Sequence, residues 1–153
     1  MGILIFLHVV GAMMFLGNIV TAAFWKLKAE RGGDLPHLHR VTRNVMLADY
    51  IFTLPGIVLL LATGHILAAQ RGYPLTEWNW VSASEGLFAL SGLIWLLVLL
   101  PAQRAMIRES SLSASAGSLT PSYRKASRLW DSFGTLVTII PLVVLYLMLN
   151  KPF

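Results

Sequence analysis

Cysteine is absent from the chain, which removes disulfides, thiolate metal sites and a cysteine nucleophile together. Charge is scarce: Asp, Glu, Lys and Arg make up 12% of residues, where soluble proteins carry about a quarter. Catalytic signatures are missing too. No Gly-rich phosphate loop, no HExxH, no Ser-His-Asp spacing and no paired catalytic carboxylates on one helix can be found, so conventional hydrolase and kinase chemistry is not encoded in any recognisable form.

What is abundant is apolar surface. Of 153 residues, 56% are hydrophobic and the mean hydropathy is +0.69. The apolar residues fall into blocks of about the 20 residues that span hydrocarbon. These predict membrane helices over about 3–25, 45–69, 86–106 and 129–150, interrupted by Asp49, Pro55, His65, Pro101 and Pro141. The expected fold is all-α, a transmembrane four-helix bundle forming a single domain over 1–153. Prolines are tolerated in such helices when neighbours re-satisfy the freed carbonyls.

The net charge of +5 is explained by topology rather than by nucleic acid, because the cations sit in loops instead of along a helix face. Lys26, Lys28, Arg31, Arg40 and Arg43 lie between the first two spans, and Arg104, Arg108, Arg124, Lys125 and Arg128 between the last two. Only Arg71 and Lys151 fall on the other side. The positive-inside rule therefore predicts that the N-terminus, the C-terminus and the middle loop are all outside. The first block has no basic n-region or small-x-small cleavage site and reads as a retained span. Phe6 stands where a myristoylation signal places Ser or Thr, which argues against a lipid anchor. The middle loop, Arg71 to Ser84, holds Tyr73, Trp78 and Trp80 and is expected to lie flat at headgroup depth. The stretch from Glu109 to Pro121 reads as a flexible Ser- and Ala-rich linker.

Ionisable residues inside spans are costly, so each is a candidate for function. They are His8, Asp49, His65 and Asp131, with Glu85 at an interface. His8 lies about five residues into the first span, and His65 about five before the second leaves on the same side. Both are then roughly 8 Å below the outer boundary. Two imidazoles at one depth on antiparallel neighbours fit the axial ligands of a haem iron. Two His without Cys or a nearby carboxylate fall short of a four-coordinate zinc site. Inter-helix hydrogen bonding and proton relay remain open as alternatives. Gly11, Ala12, Phe15, Asn18 and Ala22 make a small and polar face around His8, suited to close approach of a helix or a flat macrocycle, and Gly64 stands beside His65. Asp49 and Asp131 are expected to pair with the basic clusters that end at Arg43 and Arg128; Asp49 lies some 24 Å from His65 along the helix.

Phe6-Leu7-His8-Val9-Val10-Gly11, Phe15-Leu16-Gly17-Asn18, Trp25-Lys26, Asp49-Tyr50-Ile51-Phe52-Thr53-Leu54-Pro55-Gly56, Thr63-Gly64, Trp95 through Leu100-Pro101 and Met148-Leu149-Asn150-Lys151-Pro152 resemble a bacterial family of predicted integral membrane proteins of unknown function, over the whole chain. More distantly, the His-bearing first span is similar to HemJ, the membrane protoporphyrinogen oxidase, and to the membrane domain of CopD-type copper proteins. That resemblance implies a four-helix bundle and a b-type haem with a ligand at His8; His65 as second ligand rests on depth alone.

The expectation is a haem b protein of the bacterial inner membrane, with iron held by His8 and His65, and Gly11, Phe15, Gly64 and Arg71 around the cofactor. Its work would be haem-dependent oxidoreduction, either electron transfer or oxidation of a porphyrin or quinone-like substrate. The alternatives are a non-catalytic accessory subunit of a larger membrane complex and a small-molecule or metal transporter subunit, as a homo-oligomer. Lipid is the expected surroundings and nucleic acid is not a partner.

Overall fold

The computed structural model describes residues 2–74 and 76–151. Four helices are long and apolar enough to cross a membrane: α1 (Gly2–Gly32), α2 (Leu35–Gln70), α3 (Trp80–Ala116) and α4 (Pro121–Asn150). No strand occurs among the described residues. Large apolar side chains such as Phe6, Met13, Val58, Leu97 and Leu149 face outward, the arrangement of a bundle solvated by lipid rather than water.

Short polar turns set the helix ends. α1 stops at Gly33, whose φ of 72° suits a residue without a side chain. The Asp34 carboxylate then accepts from the His37 amide at 2.9 Å to start α2. Asn79 and Ser82 form a reciprocal capping box at the start of α3, and the Thr120 hydroxyl caps α4 by accepting from the Tyr123 amide at 3.1 Å.

Two sequence expectations are corrected. The stretch SSLSASAGSLTPS is not a linker: α3 continues to Ala116, and Ser110 and Ser113 are fully buried. Their hydroxyls donate back to the Ile107 and Glu109 carbonyls, so small residues that look like spacer composition pack a helix end closely instead. The middle loop is also shorter than expected, because α3 begins at Trp80, whose ring is buried against Tyr73 rather than spread on a surface.

α2 and α3 each contain one wide π turn, Asp49–Thr53 and Trp95–Leu99. Both precede Leu-Pro. Pro55 and Pro101 have no N–H to give the carbonyl four residues back and would clash with it. The chain widens instead, with the Leu54 N–H donating to Asp49 O and the Leu100 N–H to Trp95 O, five residues back.

The ends of the bundle differ. At the end rich in Lys and Arg, here called the basic end, the first half of α2 packs on the second half of α3, and α1 meets α4. Lys26 of α1 is buried there and holds α4 through Asp131 at 2.7 Å, while pairing with Glu30 of its own helix at 2.9 Å. Ser127 and Tyr123 of α4 donate to Glu30 at 2.6 and 2.8 Å. At the end bearing the termini, α1 packs with α2 and α3 with α4, while α2 and α3 have little backbone contact. The two helix pairs diverge, and a cavity opens between them.

Candidate functional site

α1 and α2 cross at two glycines. A Cβ on Gly11 would stand 2.9 Å from Leu59 Cβ, and one on Gly56 would stand 2.9 Å from the Gly11 carbonyl oxygen. This contact fixes the register of the pair and brings Thr63 and Gly64 against His8. Gly11 therefore serves the helix crossing and does not line the cavity.

The cavity at the terminal end has a volume of about 770 Å³, within the range of small-molecule and cofactor sites. Its walls are mainly apolar, with Phe15, Phe88, Val144 and Met148 among them, and His8, Gly64 and His65 enter from α1 and α2. Arg71, Tyr73, Trp80 and Lys151 stand at its surface end. The Lys151 ammonium lies 5.8 Å from the Trp80 ring centre. Of the residues singled out in the sequence, His8, Phe15, Gly64, His65 and Arg71 thus share one cavity.

The two histidines have different surroundings. His8 is half-buried, and its Nδ1 lies 2.9 Å from Thr63 Oγ1. The Thr63 hydroxyl donates its own hydrogen to the Leu59 carbonyl, so its oxygen accepts from His8. In the neutral ring this puts the proton on Nδ1 and leaves the Nε2 lone pair free, the form that binds iron. Gly64 gives the ring its room, since a Cβ there would sit 3.3 Å from His8 Cε1. His65 is exposed, with Nδ1 on the Leu61 carbonyl at 2.9 Å and Nε2 beside Glu85 at 3.2 Å. The His65–Glu85 pair bridges α2 and α3 where their backbones diverge.

Of the two span carboxylates, Asp131 makes the expected ion pair, with Lys26 of the first basic cluster, and Asp49 does not. Asp49 has neutral partners: Asn18 Nδ2 and Thr53 Oγ1 each donate to its Oδ1 at 2.9 Å, because Arg43, one and a half turns away, faces outward. Lys26 is the basic-end cation that the bundle buries, and only its place at the end of an apolar run set it apart in the sequence. The role of Thr63 was equally hidden, and Glu85 stood out only as an ionisable residue at an interface, because their partners depend on which helices meet. Among the described residues no group of three or more His, Asp or Glu could by itself hold a metal ion.

Four membrane-length helices, with an open cavity between the diverging pairs at the terminal end, define a polytopic helical membrane protein. The chain belongs to the DUF2269 family of predicted integral membrane proteins, which it matches over residues 2–152. No curated protein and no solved structure matches it.

Proposed function

We propose that the terminal-end cavity binds haem b, with His8 as an axial ligand, and that the protein works in electron transfer or in oxidation of a porphyrin or quinone-like substrate. The observation that carries this reading is His8 itself: an imidazole lining a mainly apolar cavity, with Nδ1 on Thr63, which would leave Nε2 to coordinate iron. Outer hydrogen bonds of this kind fix the tautomer of metal-binding histidines. A porphyrin brings four nitrogens of its own, so one or two histidines suffice.

Bound haem would supply one-electron redox chemistry; the protein's part is to orient, shield and anchor. Phe15, Phe88 and Val144 exclude water. Arg71 and Lys151, at the surface end, suit carboxylates such as propionates. His65 supplies the second ligand once its Nε2 turns from Glu85. In this reading both termini face outward across a bacterial inner membrane, following the ten cations at the basic end against two at the other.

The test is an optical spectrum of the purified chain, oxidised and then dithionite-reduced, with a pyridine haemochrome assay. About one b-type haem per chain, lost in His8→Ala, is the expected result. A colourless protein after expression with haem precursor would overturn it. That outcome would favour an accessory subunit of a larger membrane complex, a reading supported by the fact that both histidines already have hydrogen-bond partners.

A further inference from the structure

A second feature lies deeper, where the two π turns meet. We propose that Asp49 is an exchangeable proton-binding site within the membrane, loaded from the basic end of the bundle. It is independent of the haem reading.

Asp49 opens the π turn of α2 and is 8% exposed. Its Oδ1 accepts from Asn18 and Thr53, and Trp95, which opens the π turn of α3, and Gln103 approach the same carboxyl. The Asn18 amide also donates to Thr53 at 2.9 Å. No ion pair of the described residues includes Asp49. An isolated carboxylate at this depth carries a large desolvation cost, which a bound proton removes.

Gln103 supplies the second observation. It is 1% exposed, and apart from its approach to the Asp49 carboxyl neither its amide nitrogen nor its amide oxygen has a hydrogen-bond partner. Buried orphan groups of this kind are rare and call for a partner. A primary amide beside a carboxyl can answer both of its forms, donating N–H to the carboxylate or accepting O–H from the acid. The groups already on Asp49 are hydrogen-bond donors, which support the carboxylate against its desolvation cost, so the site can hold either form of the carboxyl, whereas a sodium ion needs converging oxygens.

A route approaches the site from the basic end. A vestibule of about 550 Å³ between α1 and α2 is lined by Thr21, Lys28, His37 and Asn44 and ends at Asn18, the residue bonded to Asp49. Toward the terminal cavity, Phe15 packs against Phe88 with ring centres 5.4 Å apart. The charged and titratable groups on the surrounding helices are occupied or turned away. On α1 and α4, Lys26 is held by Glu30 and Asp131. On α2, His39 bonds Ser110. Arg43 of α2 and Arg104 of α3 are exposed, and Glu109 of α3 takes Arg108 and Thr120. His37 and Lys28 line the vestibule.

Infrared difference spectroscopy of the whole chain in liposomes near neutral pH tests this. The expected spectrum has a carboxylic-acid C=O band that shifts in D2O, is lost in Asp49→Asn, and is displaced in Gln103→Leu. The Gln103 variant keeps the test usable if Asp49→Asn does not fold. Thr21→Trp, which plugs the exposed vestibule, should slow exchange of that band into D2O. Identical acid bands in wild type and both variants would overturn the proposal, as would a band removed by Na⁺ at constant pH. Unchanged exchange in Thr21→Trp would overturn the loading route.

Discussion

At the scale of single residues, the candidate site depends on how His8 is held. Thr63 fixes the tautomer and Gly64 clears the ring, so each can be tested without touching His8. Thr63→Val keeps the shape and removes the acceptor for Nδ1–H. Haem affinity should fall by roughly 10–100-fold, the usual effect of removing an outer-shell partner, measured by haem titration of the purified protein. Gly64→Leu places a branched side chain where even a Cβ meets His8 Cε1 at 3.3 Å, and should abolish retention. If both variants bind as wild type does, His8 is not the ligand.

Whole elements pose a different question, namely how helices approach one another. The α1–α2 crossing is a backbone contact between Gly11 and Gly56, and its neighbours on the far side are backbone atoms that cannot swing aside. Gly56→Val should destabilise the protein by about 1–3 kcal/mol, the range for overpacking a close contact. A lowered midpoint in a detergent thermal-unfolding assay checks this. The loss is expected to extend to haem binding, since the same crossing sets the register of His8 against Thr63. The π turns are element-scale features too: each follows from a proline that cannot donate, and each turns a distinctive residue, Asp49 or Trp95, toward the bundle interior.

For the molecule as a whole, ion pairing clamps α1 to α4 at the basic end, where a vestibule remains between α1 and α2, and the helix pairs diverge at the terminal end. Lys26 is the clamp. Lys26→Met leaves Glu30 and Asp131 without their cation, at a cost toward the lower end of the roughly 3–5 kcal/mol seen when a buried pair is broken, because both carboxylates are partly exposed. Combining it with Glu30→Gln and Asp131→Asn should restore much of that loss, read as recovery of the thermal midpoint. Topology can be checked directly because the chain has no cysteine. With a membrane-impermeant thiol reagent added outside intact cells, Lys151→Cys should label and Gly33→Cys and Gly117→Cys should not. The reverse pattern would invert the orientation and put the haem site on the inner face.

The sequence by itself determined that this is a four-span helical membrane protein, because hydrocarbon demands about 20 apolar residues per crossing and internal backbone pairing, both local properties. It also pointed to His8, His65, Phe15, Gly64 and Arg71, since polar groups and glycines in apolar runs stand out one at a time. Only the tertiary structure decided that Thr63 orients His8, that His65 faces Glu85, that Gly11 belongs to a helix crossing and that Lys26 is the cation that meets Asp131. Ser110 and Ser113 became a buried helix face for the same reason. Which side chains meet depends on helix rotation and register, and these are set by backbone contacts such as Gly11 with Gly56, between residues 45 positions apart in the chain.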